Sequence, residues 1–155
     1  NLINELKELD ADMDSALERF MGNSQLLEMM LKKLLTSIEQ NSGIECDIAN
    51  GNLNNAISKA HTLKGNTGNL SVTPLYKAYT EITNLLRQEK IPEAKEKLQE
   101  ILPVQNKIIE TIKKISVKTF NLLLQSIQKA KESVVFFSKQ YLSYNKCAHH
   151  VSGNL

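Results

Sequence analysis

Apolar residues recur at steps of three and four along almost all of this chain, as in Leu27, Leu31, Leu34 and Ile38, or Leu75, Tyr79, Ile82 and Leu86. Such spacing gathers side chains on one face of a helix, whereas a half-buried strand requires strict alternation. No alternating stretch bounded by turn residues occurs, so no sheet is expected. Only three prolines and six glycines interrupt the 155 residues, which leaves long uninterrupted runs for helix formation. The chain is therefore predicted to be all-α.

The helices can be placed from their punctuation. Leu2, Ile3, Leu6 and Leu9 fit a short opening helix. Asp12 or Asp14 is a candidate cap for a brief helix to about Phe20, closed by Met21-Gly22-Asn23. Ser24 starts a long helix whose apolar stripe is disturbed at Asn41-Ser42-Gly43 and resumes weakly at Ile44 and Ile48. Periodicity does not decide whether the helix breaks there. Asn50-Gly51-Asn52 reads as a turn. A further helix runs from about Leu53 towards Leu70. Thr73-Pro74 opens the next, with threonine as cap and proline in the first turn, and it continues to about Gln88. Ile91-Pro92-Glu93 restarts the chain through Ala94, Leu98, Ile101, Ile108 and Ile112, with Pro103 expected to kink the helix or loosen one turn.

Four long helices joined by short turns predict an antiparallel up-down four-helix bundle with a short N-terminal helix, over residues 1–116. Residues 117–155 are expected to form a C-terminal extension. It would hold a separate amphipathic helix bearing Phe120, Leu123, Leu124, Ile127, Val134, Phe137 and Tyr141, then a mobile polar tail. That helix is a candidate to cap the bundle, to dock a neighbouring domain or to pair two copies as a homodimer.

Charge and composition exclude several function classes. The 19 basic and 17 acidic residues nearly cancel, leaving a net charge of +2. A nucleic-acid or anionic-membrane surface needs a concentrated basic face. Lys113, Lys114 and Lys118 come nearest and read as a solvated helix face, so neither partner is expected. The longest apolar run, Val134-Val135-Phe136-Phe137, is far too short to span a bilayer. No signal peptide opens the chain, and its start at Asn1 suits a segment of a longer polypeptide. Cys46 and Cys147 have no disulfide-framework or zinc-site spacing, which suits a reducing, cytoplasmic setting. Cys147, His149 and His150 crowd the tail and make only a weak metal site, so no metal and no cofactor is expected. There is no Walker-type glycine loop, no kinase-like nucleotide box and no acidic cluster for magnesium, so the chain should not bind ATP itself.

One stretch breaks a local rule. Residues 60–70, AHTLKGNTGNL, carry helical spacing yet include Gly65 and Gly68, and each glycine costs a helix about 1 kcal/mol against alanine. At about 100° per residue, Leu53, Ala56, Ala60, Leu63, Thr67 and Leu70 form the inward stripe. His61 then lies roughly 120° from the centre of that stripe, on the outer flank. Gly65 and Gly68 fall within about 40° of His61, one and two turns further on, with Lys64 beside them and Asn54 two turns earlier. Bare backbone lets a second macromolecule approach, and the lysine attracts negative charge. A solvent-exposed imidazole is a competent nucleophile at cellular pH, and phosphoryl transfer needs mainly positioning and charge neutralisation. A lone surface histidine is usually no more than that; the two glycines beside it are what point to a histidine that takes and gives up a phosphoryl group.

Ala60-His61-Thr62-Leu63-Lys64-Gly65, followed by Gly68-Asn69-Leu70, resembles the signature of histidine-containing phosphotransfer (HPt) domains. Ala16-Leu17-Glu18-Arg19-Phe20-Met21-Gly22-Asn23, with Leu26-Leu27 after it, resembles the short opening helix and turn of bacterial members. The resemblance covers about residues 10–115. It implies a four-helix bundle that carries phosphoryl groups between receiver-domain aspartates, without an ATP site, the magnesium ion coming with the receiver. Carried over by position, it implies that His61 is phosphorylated, that Lys64 steadies the phosphoryl oxygens and that Gly65 keeps the approach open. Gly68, Asn69 and Asn54 complete the expected partner surface. It also favours a helix continuous through Asn41-Ser42-Gly43. Two residues depart from the family pattern, Asn66 where many members have a small residue and Ser71 where many have glycine; neither is expected to touch the phosphoryl site. Two alternatives stand beside it: the phosphorylatable N-terminal domain of a chemotaxis-type histidine kinase, and a helical interaction module that transfers nothing, against which His61 itself argues.

Overall fold

The computed structural model describes the backbone of residues 2–151 and the side chains of residues 2–114 and 121–139. Among these residues there are helices and no strands. The helices are α1 (Leu2–Lys7), α2 (Met13–Arg19), α3 (Ser24–Gln40), α4 (Ile44–Ala49), α5 (Leu53–Asn69), α6 (Thr73–Arg87) and α7 (Ile91–Val151). Contacts divide the chain into two compact units, Asn1–Ile115 and Ser116–Leu155.

The first unit has one apolar core. Leu27, Leu31, Leu34 and Ile38 of α3 meet Ala56, Ala60 and Leu63 of α5, Leu75, Ala78, Tyr79, Ile82 and Leu86 of α6, and Ala94, Leu98, Ile101, Ile108 and Ile112 of α7. Each fully buried Leu or Ile contributes about 1.5–3 kcal/mol relative to exposure. The helix that carries His61 packs against α3, α4 and α6. Its inward stripe is made mostly of small side chains, Ala56, Ala60 and Thr67, with Leu63 between them. Thr67 satisfies its buried hydroxyl by donating to the Leu63 carbonyl at 2.7 Å. The Tyr79 hydroxyl likewise donates to Gln105 Oε1, joining α6 to α7, and burial pushes its pKa up to about 12.

The structure corrects several local expectations. The long helix is not continuous through Asn41-Ser42-Gly43: α3 ends at Gln40 and α4 begins at Ile44, with Gly43 in the left-handed region at φ +77°. A clamp from α5 holds the break, since Lys59 Nζ donates to the Ser42 carbonyl at 2.9 Å and pairs with Asp47 at 2.7 Å. Asn55 donates to the same carboxylate at 2.9 Å. Lys59 and Asn55 together hold Asp47 below its usual carboxylate pKa.

Thr73 is not a cap either. Val72 occupies that position without a side-chain bond, and Thr73 is the first helical residue. Asp12, by contrast, caps α2 by accepting from the Ser15 amide.

There is no separate C-terminal helix. Between Pro103 and Val151 the sequence holds neither glycine nor proline, so nothing ends α7. Pro103 lies inside this helix and removes one amide from its ladder.

Within the second unit, the stretch 122–137 exposes Leu122, Leu123, Leu124, Ile127, Val134, Val135, Phe136 and Phe137. The rings of the last two meet edge to face at 6.0 Å. The expected polar tail is helical as far as Val151. The side chains of Lys118, Phe120, Tyr141, Cys147, His149 and His150, and residues 152–155, lie outside the described part of the structure.

Candidate functional site

α5 stands with its apolar stripe inward, which leaves His61 on the outer side and exposed. No described residue forms a hydrogen bond or ion pair with its imidazole. His61 opens onto a cleft of about 420 Å³ formed by three helices. One wall is α5 itself, with Lys64, Gly65, Gly68 and Asn69; the others are Asp12, Ser15 and Arg19 at α2 and Tyr76 on α6. The cleft therefore gathers five of the residues singled out from sequence, His61, Lys64, Gly65, Gly68 and Asn69. Asn54, exposed two turns earlier on α5, is not part of its lining.

The two glycines differ in kind. A Cβ added at Gly65 would meet nothing within 4 Å, so this stretch of backbone lies open beside His61. At Gly68 a Cβ would stand 2.8 Å from Cδ2 and 3.0 Å from Cε2 of Tyr76. That glycine is covered by an aromatic ring of the same chain. Its bare backbone is a seat for Tyr76, not an open approach as the helical wheel suggested.

Arg19 joins the walls. Its Nη1 donates to the Gly68 carbonyl at 2.7 Å and the Asn69 carbonyl at 3.3 Å, closing the C-terminal end of α5, where carbonyls lack helical partners. It brings a second cation to the cleft besides Lys64. Asp12 is the counter-charge: the Ser15 hydroxyl at 2.7 Å and the Ser15 amide at 3.1 Å, with Arg19 and Lys7 nearby, hold its carboxyl below the ordinary value. Arg19 falls in the opening-helix motif, which gives it no role, and nothing in the local sequence singles out Tyr76.

Ser71 was expected to stay clear of the site, yet it lines the cleft. It sits at φ +52°, a left-handed conformation that costs a non-glycine residue about 1 kcal/mol. Its carbonyl accepts the Asp12 amide at 2.9 Å, tying the end of α5 to the start of α2. Asn66 is turned elsewhere and donates to Ser37 Oγ at 2.6 Å, binding α5 to α3.

No group of three or more potential metal ligands occurs among the described residues. No helix there is long and apolar enough to cross a membrane. These features define an all-helical module with one histidine open at a cationic cleft. The family model for the Hpt domain matches residues 2–130, and the chain belongs to that family. Members act in phosphotransfer within phosphorelay signalling, where they meet receiver domains. The match reaches further in both directions than the residues that carry the sequence resemblance. No curated protein and no solved structure gives a match to this chain.

Proposed function

We propose that His61 takes a phosphoryl group from a receiver-domain aspartate and passes it to another receiver. An imidazole nitrogen attacks the phosphorus of the aspartyl phosphate, the N–P bond forms, and the P–O bond to the aspartate breaks with its electron pair leaving on the carboxylate. The proton of the resulting imidazolium goes to solvent, and the reverse sequence on a second aspartate releases the group. Lys64, one turn from His61, offsets charge on the phosphoryl oxygens. Gly65 and Asn69 lie on the surface the visitor covers, and Asn54 extends that surface along α5. The chain carries the group and does not itself bind ATP; the magnesium ion that serves aspartyl phosphate chemistry belongs with the receiver. A cytoplasmic setting follows from those partners.

The observation that carries this assignment is the imidazole, without a partner among the described residues, on an open cleft, with Lys64 and bare Gly65 beside it. The same assignment arranges α3, α5, α6 and the first part of α7 as an antiparallel up-down bundle over residues 1–116, supported by their short connections and common core. The test is His61→Gln. The variant should melt like the wild type and take no acid-labile label from a phosphorylated receiver domain. Retained label would end the assignment.

We also infer that the apolar face of the C-terminal extension, residues 117–155, pairs with a second copy of the chain. Support comes from the heptad spacing of Leu123, Ala130 and Phe137 with Ile127 and Val134, all exposed in the single chain. Light scattering of the whole chain should give twice the chain mass, and removal of residues 117–155 should halve it. A monomeric whole chain would refute pairing.

A further inference from the structure

Gly68 and Tyr76 form a device that local sequence does not reveal. The ring of Tyr76 lies close enough to α5 that a single methyl at Gly68 would collide with Cδ2 and Cε2. Tyr76 leaves the first turn of α6, which is locked to the end of α5 by the Val72 amide donating to the Thr67 carbonyl at 2.9 Å. Yet 40% of Tyr76 remains exposed, on the same cleft as His61. Its hydroxyl bonds to no described residue. On the other side of Gly68, Arg19 spends one nitrogen on the Gly68 and Asn69 carbonyls, and no described residue accepts from its remaining N–H groups.

We propose that Tyr76, seated on Gly68 beside the fixed Arg19, is the docking residue that sets affinity for the phosphorylated protein partner. The proposal rests on the phosphotransfer assignment and extends it to recognition. An aromatic side chain has few rotors to fix, and here packing against bare backbone has fixed them before the partner arrives. Aromatic and arginine side chains anchored in this way are the kind that dominate protein interfaces. The partner this pair fits presents an apolar contact for the ring and a carboxylate or carbonyl for the guanidinium, close to its own aspartyl phosphate. Tyr76 touches no reacting atom, so its contribution belongs to binding and not to the transfer step.

The experiment uses the whole chain and a panel of receiver domains charged with acetyl phosphate, taking one that labels wild-type His61. Tyr76→Ala should raise KM for that phosphorylated receiver about tenfold, as expected for loss of an aromatic anchor, while kcat stays within about twofold. Gly68→Ala, which unseats the ring, should raise KM similarly in the wild-type background and add nothing in the Tyr76→Ala background. Tyr76→Phe should restore most of the affinity if the ring is what docks. An unchanged KM in Tyr76→Ala overturns the proposal, as does an effect confined to kcat or a Gly68→Ala effect that persists without the ring. Should no charged receiver label or bind the wild-type chain, and should phosphoramidate, a small phosphoryl donor, also leave His61 unlabelled, the underlying phosphotransfer assignment falls. Labelling by phosphoramidate with unchanged receiver KM in Tyr76→Ala would sink the docking role alone.

Discussion

Gly65→Ala separates what the fold wants from what a visitor wants. Gly65 lies inside α5, and an added Cβ meets no atom within 4 Å, so the substitution brings no clash within the chain. What remains is backbone entropy: alanine in a helix interior is better than glycine by about 0.8–1.0 kcal/mol. That is roughly a fivefold gain in the folding equilibrium constant. For a unit the size of Asn1–Ile115 it should raise the melting temperature by about 4 °C. The same methyl projects beside His61, where a partner's backbone must come close, and a misfit of about 1 Å at a reacting centre costs up to a hundredfold in rate. Helical circular dichroism on heating measures the first effect, and transfer from a phosphorylated receiver measures the second. A protein that is more stable and transfers at least tenfold more slowly is the expected result. An unchanged melting temperature would mean that the backbone at Gly65 is not an unstrained open helix. Unchanged transfer would mean that no partner uses the bare surface.

Two further outcomes can be checked. Lys64→Ala should slow transfer to and from His61 without lowering the melting temperature, because the Lys64 ammonium bonds to no described residue; wild-type kinetics would remove it from the site. Lys59 and Asn55 hold the Asp47 carboxyl below the ordinary carboxylate value, so its contribution is complete above that ordinary value and is lost as pH falls through the lower folded one. Urea midpoints should therefore fall more steeply below about pH 4 in the wild type than in Asp47→Asn, and parallel profiles would refute the clamp.

Much of this molecule was legible in its sequence because the deciding forces are local. A stripe such as Leu27, Leu31, Leu34 and Ile38 fixes a helix and its buried face together. The starts of α5 and α6 lie where the turn Asn50-Gly51-Asn52 and Pro74 put them. His61 faces outward because 100° per residue leaves it nowhere else to point once Ala60 and Leu63 face inward. The break after α3 was not legible, since its apolar pattern runs on weakly into α4 and what holds Gly43 in place is Lys59, seventeen residues beyond Ser42.

Sequence by itself therefore determined the all-helical class, the membership of one family and the exposure of a single imidazole with a cation one turn away. Tertiary structure decided the meaning of the neighbours. Gly65 is bare to solvent while Gly68 is covered by Tyr76, a distinction that no helical wheel contains because the covering ring comes from another helix. Arg19 reaches the site across 49 residues of chain to the Gly68 carbonyl, and Ser71 joins it by ending α5 in a left-handed turn. Periodicity says which side of a helix is dry; only the packing of helices says what stands on the wet side.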